Sequence, residues 1–398
     1  MNQSSRLSPG RLTALIPSTF LVTALTACGG SGSSAPVAPA TPVLANQLYT
    51  QSNETANMIV HFSRAADGSI TITDRSGTGG VGTNGVKSGG TISGPDSLVS
   101  QHSVIISPDK STLFAVNAGD NSISVFGINQ TTGSLSLLNH MTTNGLSPNS
   151  LAFNNGVLYV TFQAGSNQLG AYQLGINGTL DQIGLYSLNT AGSSPTQLVI
   201  SPNGDFVVVS AGTGANAIIS FPINGDGTLA SPVINTAGVT TPFAGAFLQT
   251  TSNWVYLSTD IMSKGLVSYS YSGSGAVTSG ASAASGVTAP CWLSITPNNQ
   301  YAFVGNGAGA ISSYSVTTAG GVTLLSAQAA TEPSVISGVP SVAADSWVSA
   351  DGKYLYSDYL GDDKVVAYSI SDTGTLTKIN EQVIGTKTGL SMQGLAGI

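Results

Sequence analysis

The sequence predicts an all-β protein folded as a seven-bladed β-propeller. One motif recurs seven times: a short apolar strand that ends in an aromatic residue, then a turn that contains glycine, then a second strand. The repeats follow one another at roughly 50 residues, which is the length of one four-stranded propeller blade. The aromatic residues of the seven repeats are Phe62, Phe126, Tyr172, Phe221, Tyr269, Tyr314 and Tyr368.

Residues 1–27 have the features of a signal peptide. Arg6 and Arg11 form a basic start, and residues 12–27 form an apolar run. That run is shorter than the about 20 residues that span a bilayer comfortably. It ends in Leu-Thr-Ala followed by Cys28, which resembles the cleavage site of bacterial lipoproteins, in which the cysteine is lipidated. The alternative is an ordinary secretory signal peptide that leaves Cys28 as a free thiol.

The composition of residues 28–46 predicts a flexible tether, which begins at the lipidated Cys28 and leads into a propeller over residues 47–398. The segment is rich in Gly, Ser, Pro and Ala and carries no charge. Gly29, rather than an aspartate, follows the cysteine, and by resemblance to Gram-negative lipoproteins this favours the outer membrane. We therefore expect a lipid-anchored protein of the cell envelope, on the periplasmic or the outer surface.

The composition of the chain excludes some classes of binding partner. Removal of Arg6 and Arg11 with the signal peptide leaves nine basic and eighteen acidic residues, a net charge of −9. So acidic a chain lacks the basic surface of a nucleic-acid-binding protein. No second apolar run is long enough to span a membrane, so we expect membrane contact through the lipid alone. Cys291 is the only cysteine besides Cys28, which excludes a disulfide framework. We expect its thiol to be buried. We also expect the propeller to be a monomer.

Each blade is predicted to contain strands A to D, counted from the innermost to the outermost. Blade 2 shows the order clearly, with HSVIISP as strand A, TLFAVNAG as B, SISVFGIN as C and SLSLLNHM as D. Blade 1 lacks a strand A at its start, whereas the C-terminal sequence QGLAGI, residues 393–398, matches other A strands. We expect this segment to complete blade 1 and to close the ring, which removes exposed strand edges.

One insertion interrupts the period between Phe62 and Phe126, which are 64 residues apart. The excess lies at residues 76–95, where Gly77, Gly79 and Gly82 formally match the G-x-G-x-x-G pattern. A phosphate-binding loop of this kind needs a helix directly after it, and none is predicted here. The insertion is therefore interpreted as a flexible loop beside the channel mouth.

The start of strand A supplies one residue of each blade to the predicted channel mouth. These residues, from blade 1 to blade 7, are Gln393, His102, Asn149, Thr196, Phe243, Cys291 and Asp345. His102 is the best candidate for a general base, and the alternative is a hydrogen-bonded histidine at a strand start. Asp345 is the second catalytic candidate, able to orient His102 or to act separately, and its alternative is a cap on the turn into strand A.

The remaining predicted mouth residues bind substrate in this interpretation. Gln393, Asn149, Thr196 and Phe243 line the mouth, and Arg75 and Lys364 are expected to reach it as cations. Cys291 is expected to be a buried small residue rather than a nucleophile.

No metal and no cofactor is predicted, since HExxH, CxxC and G-x-S-x-G motifs are all absent from the sequence. The acidic run Asp358, Asp362 and Asp363 lacks the ligand spacing of a calcium loop, so it is interpreted as a solvated loop.

Four segments carry a resemblance to a known family: SQHSVIISPDKSTLFAVNAGDNSISVF, TTPFAGAF, APCWLSITPNNQYAFVGN and VSADGKYLYSDYLGDDKVVAYS. They resemble the seven-bladed β-propeller lactonases, which include 6-phosphogluconolactonase-like and carboxymuconate cyclase-like proteins. The resemblance implies metal-independent catalysis by polar and basic residues at the channel mouth, with His102 as the nearest counterpart of a family histidine.

Two functions follow as hypotheses. The first is hydrolysis of an uncharged or weakly charged lactone or ester, with His102 as base and Asp345, Asn149 and Gln393 as orienting or oxyanion-binding groups. The second is a non-catalytic propeller that binds carbohydrate or an envelope protein, which the low charge and the Asn/Ser/Thr/Gly-rich loops favour.

Overall fold

The computed structural model describes residues 44–88, 90–91, 93–212, 214–248, 250, 254–263 and 265–398. The predicted signal peptide, the lipidation site Cys28 and the tether as far as residue 43 lie outside the described residues. The described chain forms one compact unit with twenty-eight strands in seven antiparallel four-stranded sheets. The predicted fold class, a seven-bladed β-propeller, is thereby confirmed.

The strands of the first four blades follow in the order A to D. Blade 1 comprises β28 (Gln393–Gly397), β1 (Gln47–Gln51), β2 (Met58–Arg64) and β3 (Ile70–Gly77). Blade 2 comprises β4 (Val104–Ile106), β5 (Thr112–Asn117), β6 (Ser122–Ile128) and β7 (Leu135–Thr142). Blade 3 comprises β8 (Leu146–Asn154), β9 (Val157–Ala164), β10 (Leu169–Leu174) and β11 (Leu180–Tyr186). Blade 4 comprises β12 (Gln197–Ile200), β13 (Phe206–Ala211), β14 (Ala217–Pro222) and β15 (Val233–Asn235).

The last three blades repeat the pattern. Blade 5 comprises β16 (Pro242–Phe247), β17 (Trp254–Asp260), β18 (Gly265–Tyr271) and β19 (Val277–Ala284). Blade 6 comprises β20 (Pro290–Ile295), β21 (Tyr301–Asn306), β22 (Ala310–Val316) and β23 (Val322–Thr331). Blade 7 comprises β24 (Ala343–Val348), β25 (Tyr354–Tyr359), β26 (Lys364–Ile370) and β27 (Leu376–Val383). Among the described residues, the one helical segment is a 3-10 turn at Ile176–Gly178.

The seven recurring aromatic residues all lie on strand C of their blades, and each is at most 2% exposed. Strand C has sheet neighbours on both sides and packs against adjacent blades, so a large apolar side chain there removes much surface from water. The outermost strands differ. Strand β7, for example, has five of its eight residues exposed and none fully buried. The repeat seen in the sequence therefore marks the blade interior.

Glycines in the turns between strands C and D join neighbouring blades. Gly68, Gly133 and Gly227 have φ values of +85°, +78° and +81°, which favour glycine. Their carbonyl oxygens accept hydrogen bonds from buried tyrosine hydroxyls of the preceding blade. The pairs are Tyr356 with Gly68 at 2.9 Å, Tyr49 with Gly133 at 2.7 Å and Tyr159 with Gly227 at 3.0 Å. The turn glycines thus contribute to packing as well as to chain reversal.

The ring closes through β28. This C-terminal strand pairs antiparallel with β1, placing Leu48 opposite Gly397 and Thr50 opposite Leu395. Leu395 is 4% exposed and Ile398 5% exposed, so the last residues of the chain belong to the core. The predicted closure by the C-terminal segment is confirmed.

Two faces of the propeller are distinguished below. The loop face carries the D-to-A connections and the B-to-C loops, and the turn face carries the A-to-B turns. No helix among the described residues has the length and apolarity that a membrane crossing requires.

Deletion of residues 389–398 is predicted to abolish folding, because blade 1 would lose its innermost strand and expose an unpaired β1 edge. Limited proteolysis and solubility measurements show whether the truncated chain folds. Thr377→Ala, on the exposed strand β27, is the control and should behave like the wild type. A truncated chain that stays soluble and resists protease would contradict the prediction.

Candidate functional site

A polar segment lies along the propeller axis in the half of the channel nearer the loop face. This axial segment, residues 96–103, follows directly after the insertion and leads into β4. Gln101 spans to blade 6, donating its amide nitrogen to the Leu293 carbonyl at 2.8 Å and accepting the Leu293 N–H at 2.9 Å. The Trp292 indole donates to the Ser100 carbonyl at 2.9 Å.

Other blades hold the same segment. In blade 3, the Ser150 hydroxyl donates to the Gln101 carbonyl at 2.6 Å. In blade 4, the Thr196 carbonyl accepts the N–H of Gln101 at 3.1 Å. In blade 1, the Gln393 side chain accepts the N–H of Leu98 at 3.1 Å. The insertion, predicted as a loop beside the mouth, therefore continues into a segment that fills this part of the channel.

The backbone of the axial segment is unusual. Asp96, Val99 and His102 have φ values of +57°, +46° and +69°, a region that residues other than glycine adopt at a cost of about 1–3 kcal/mol each. Val99 is β-branched, for which this region is the least favourable. The hydrogen bonds to five blades hold this conformation in place.

The main chain and the side chain of His102 contact different blades. Its N–H donates to Asp345 Oδ1 in blade 7 at 3.0 Å, and its carbonyl accepts the N–H of Leu151 in blade 3. The Gln197 amide nitrogen lies 3.2 Å from Nδ1 of the imidazole. Gln197 Oε1 accepts the N–H of Gly245, which orients the amide nitrogen toward the ring. Asp345 therefore contacts the His102 backbone and not its imidazole, unlike the orienting role considered from the sequence.

Burial lowers the pKa of His102 to about 4, so the imidazole is neutral at pH 7. A backbone hydrogen bond with Leu198 acts in the opposite direction and is the smaller effect. A neutral imidazole is the protonation state in which a histidine can accept a proton.

A chamber of about 300 Å³ lies on the turn-face side of the axial segment. Gln101 and His102 form its inner end, and its walls are the later residues of β16, β20 and β24. Phe247 and Trp347 contribute aromatic surface, and Ser294 contributes a hydroxyl. Among the described residues that line it, His102 is the one titratable side chain. The structure thus places His102 toward the turn face, whereas the sequence argument placed it at a mouth on the loop face.

Three carboxyl groups, those of Asp96, Asp345 and Asp358, lie in the axial segment or near it. Burial and, to a smaller extent, the nearby Asp96 charge raise the pKa of Asp345 to about 7, against the hydrogen bond from the His102 N–H, which lowers it. Burial likewise raises the pKa of Asp96 to about 7, against a hydrogen bond from Gln393 that lowers it. Asp358, fully buried on β25, has a pKa well above its ordinary value, first from burial and then from the Asp345 charge. Asp345 and Asp96 therefore titrate near neutrality.

Two predicted mouth residues, Asn149 and Thr196, instead join neighbouring blades, as does Thr259, which was not predicted. Asn149, Thr196 and Thr259 donate side-chain hydrogen bonds to main-chain carbonyls of the next blade. The pairs are Asn149 and Pro195 at 2.8 Å, Thr196 and Phe243 at 2.6 Å, and Thr259 and Cys291 at 2.7 Å. The predicted binding residues Asn149 and Thr196 are at most 3% exposed, and these bonds give them a structural role.

The other predicted residues of this ring are also buried. Phe243 packs edge-on against Trp292, with ring centroids 5.3 Å apart. Gln393 donates to Asp96 Oδ1 at 2.7 Å and is fully buried. Burial raises the pKa of the Cys291 thiol well above its ordinary value, which agrees with a buried small residue rather than a nucleophile.

The two predicted cations do not line the chamber. Arg75 lies on β3, the outermost strand of blade 1, and donates to the Ile384 carbonyl at 2.5 Å. Lys364, 5% exposed, begins strand β26 and pairs with Glu332 at 2.7 Å and with Glu381 at 3.0 Å. Both side chains are held in contacts between or within blades. Their contact with a substrate stays a prediction, which these positions do not favour.

The acidic run of blade 7 is buried, so its interpretation as a solvated loop was wrong. Asp358 lies on β25 and is 0% exposed, while Asp362 and Asp363 are each 5% exposed. Asp363 accepts the hydroxyl of Thr386 at 2.8 Å, which explains how one of these groups is held. Among the described residues, no group of three or more His, Cys, Asp and Glu side chains could hold a metal ion.

Two parts of the site were not predicted from the sequence: the axial segment, which includes Gln101, and Gln197. The excess length of the second repeat was a signal for the axial segment, since the extra residues must occupy some space. No signal marked Gln101 or Gln197, because their roles depend on contacts with distant blades.

The model of the family described as lactonase, seven-bladed β-propeller, matches residues 96–184 and 233–390. The chain therefore belongs to this family. The match begins at Asp96, the first residue of the axial segment. No curated protein sequence matches the chain significantly.

Solved structures show the same fold at low sequence identity. A putative 6-phosphogluconolactonase from Bacteroides fragilis is 15% identical, with a TM-score of 0.66 over 88% of this chain and 97% of that chain. A putative 6-phosphogluconolactonase from Bacteroides uniformis is 17% identical, with a TM-score of 0.66 over 87% and 98%. The periplasmic gluconolactonase of Pseudomonas aeruginosa is 14% identical, with a TM-score of 0.63 over 85% and 97%.

Gln101→Ala is predicted to destabilise the protein by about 2 kcal/mol or more, because it leaves the buried N–H and carbonyl of Leu293 unpaired. Chemical denaturation measures the free energy of unfolding. Gln130→Ala is the matched control, since Gln130 also makes two hydrogen bonds to carbonyls but is exposed. Equal losses in the two variants would show that the bonds of Gln101 are not special to the axial segment.

Proposed function

We propose that the protein hydrolyses an uncharged or weakly charged lactone or ester in the channel chamber. The observation that carries this proposal is the neutral imidazole of His102 at the inner end of a chamber, in a chain of the lactonase family. Names of structural relatives support the same reaction class, since they include putative 6-phosphogluconolactonases and a gluconolactonase.

In the proposed reaction, His102 accepts a proton from water as the water oxygen attacks the lactone carbonyl. The tetrahedral intermediate then breaks its ring C–O bond, and the alkoxide takes the proton back from the imidazolium. One lactone and one water give one hydroxy acid. Before the reaction, the Gln197 amide nitrogen lies 3.2 Å from Nδ1 and donates to it. When Nδ1 takes the proton from water, this hydrogen bond is given up, and the amide donates to the developing oxyanion instead.

Asp345 has a positioning role in this scheme. Its carboxylate accepts the His102 N–H, which fixes the main chain where φ is +69° and so determines the side to which the imidazole points. Of the two residues proposed as catalytic from the sequence, His102 thus transfers the proton and Asp345 positions His102.

The chamber favours a substrate without a phosphate. None of the described residues that line it is Lys or Arg, whereas a phosphate group calls for such partners. Phe247 and Trp347 offer aromatic surface to the apolar face of a sugar ring. Substrate is expected to enter from the turn face.

His102→Ala is predicted to lower kcat/KM for the best unphosphorylated lactone at least about 100-fold, the usual contribution of a general base. A panel of paired phosphorylated and unphosphorylated lactones tests the class, and the unphosphorylated member of each pair should react faster. His140→Ala is the control, because His140 lies on the outermost strand β7 and should leave turnover unchanged. Wild-type turnover that survives His102→Ala would contradict the assignment.

The pH dependence of kcat/KM separates His102 from the carboxyl groups as the base. The base acts in its deprotonated form, so with His102 the rate stays level from pH 8 to about 5. It then falls about tenfold per pH unit below pH 4, the region of the His102 pKa. If Asp345 or Asp96 were the base, the fall would begin near pH 7 instead.

A second candidate is a non-catalytic module that binds carbohydrate or an envelope protein. It is favoured by one observation: Asn149, Thr196 and Gln393 are used in bonds within the propeller. A well-folded wild-type protein that turns over no lactone on the panel would support this function over hydrolysis.

We also propose that the propeller is anchored in the cell envelope, in the outer membrane, through a lipid on Cys28. The support is the sequence of residues 1–46 alone. Cys28→Ser is predicted to move the protein from the detergent phase to the aqueous phase on phase separation, and to stop incorporation of labelled fatty acid. Cys291→Ser is the matched control and should keep both properties, because that thiol is buried in the propeller. Unchanged labelling of Cys28→Ser would contradict the anchor.

A further inference from the structure

Two buried carboxyl groups, Asp345 and Asp358, lie close enough for the charge of one to raise the pKa of the other, where the axial segment, blade 7 and the closing strand come together. Asp345 lies in a β-bulge of β24, and Asp358 lies opposite that bulge on β25. Their side chains belong to residues that are 1% and 0% exposed. A bulge places two residues opposite one and redirects their side chains, which brings both carboxyls to the same buried region.

One oxygen of each carboxyl is hydrogen-bonded. Asp345 Oδ1 accepts the N–H of His102 at 3.0 Å, and Asp345 also has a backbone hydrogen bond with Gly394 of the closing strand. Asp358 Oδ2 accepts the hydroxyl of Thr50, on β1, at 3.3 Å. The pair therefore connects the axial segment to both strands that close the ring.

The other two oxygens are unpaired. Asp345 Oδ2 and Asp358 Oδ1 are buried and have no hydrogen-bond partner among the described residues. A buried carboxylate oxygen without a donor is costly, and two neighbouring carboxylates also repel each other. A single proton removes the repulsion and supplies the missing donor.

We propose that Asp345 and Asp358 hold a shared proton at neutral pH, directly or through one water molecule, and that this proton fastens the axial segment to the closing strand. Asp358 carries the proton, because Asp345 already accepts two main-chain hydrogen bonds that favour its charged form. This pairing does not depend on the proposed hydrolysis.

The charges around the pair agree with this assignment. Asp96 faces Asp345 from the start of the axial segment, and Asp363 faces Asp358 from the loop after β25, so both neighbours are acidic. The imidazole of His102 is neutral at pH 7 and supplies no charge. Among the described residues, neither Asp345 nor Asp358 forms an ion pair with Lys, Arg or His.

The consequence is a defined dependence of stability on pH. Burial and the Asp345 charge raise the pKa of Asp358 in the folded state, so the folded protein keeps a proton that the unfolded chain loses. Stability then falls as the pH rises toward the folded pKa of Asp358. Asp345 and Asp96, with folded pKa values of about 7, contribute mainly between pH 4 and 7. A loss of stability that continues well above pH 7 is then assigned to Asp358.

The test compares the wild-type protein with Asp358→Asn, whose amide can donate to Asp345 Oδ2 as the proposed proton does. The unfolding equilibrium constant of the wild type is expected to keep rising with pH above pH 7, by at most about tenfold per pH unit for one bound proton. In Asp358→Asn it should change less than about threefold over the same range. Asp372→Asn, at an exposed turn, is the control and should keep the wild-type slope. An unchanged slope in Asp358→Asn would overturn the proposal.

Two further measurements keep the proposal testable if Asp358→Asn folds poorly. Carbon NMR of aspartate-labelled wild-type protein at pH 7 should show a neutral carboxyl group, and fully ionised aspartates would overturn the proposal. Hydrogen exchange of the backbone amides of residues 96–103 should be faster at pH 8.5 than the intrinsic pH dependence of amide exchange accounts for. A wild-type slope that disappears on addition of EDTA would show that a cation, not a proton, joins the two carboxyls.

Discussion

Seven sheets that meet at one axis direct their innermost strands toward a narrow space, and the polar groups there must find hydrogen bonds without bulk water. The rest of this structure depends on how that requirement is met. The axial segment supplies donors and acceptors to blades 1, 3, 4, 6 and 7, and Gln101 alone pairs with both main-chain polar groups of Leu293. The channel is consequently divided, with a polar, filled half toward the loop face and an accessible chamber toward the turn face.

This requirement also explains which parts of the molecule the sequence could predict. The strand C aromatics, such as Phe126 and Tyr368, repeat because every blade buries the same position, so the fold and its closure by residues 393–398 could be inferred from one chain. The chemistry at the start of strand A could not be predicted, because a polar residue there can bond a carbonyl of the next blade as readily as it can bind a substrate. Asn149 and Thr196 show this directly.

The details of the candidate site depend on features that a periodic pattern does not encode. The side to which His102 points follows from a φ of +69° and from the carboxyl of Asp345, which is 243 residues away in sequence. Arg75 was expected near the mouth from its position in the chain, but an outermost strand lies far from the axis in any blade. Asp358 was assigned to a loop, whereas β25 extends one residue beyond it and buries it completely.

The closing strand has a consequence for the order in which the molecule can form. Blade 1 is built from three strands near residue 50 and one strand near residue 395, so it forms only when these distant parts of the chain meet. Leu48 and Gly397, which lie opposite each other, are 397 − 48 = 349 positions apart. The other six blades each consist of consecutive strands and can form from local hairpins. Pairing of β28 with β1 is therefore the least local step of folding, and such non-local pairing is slow.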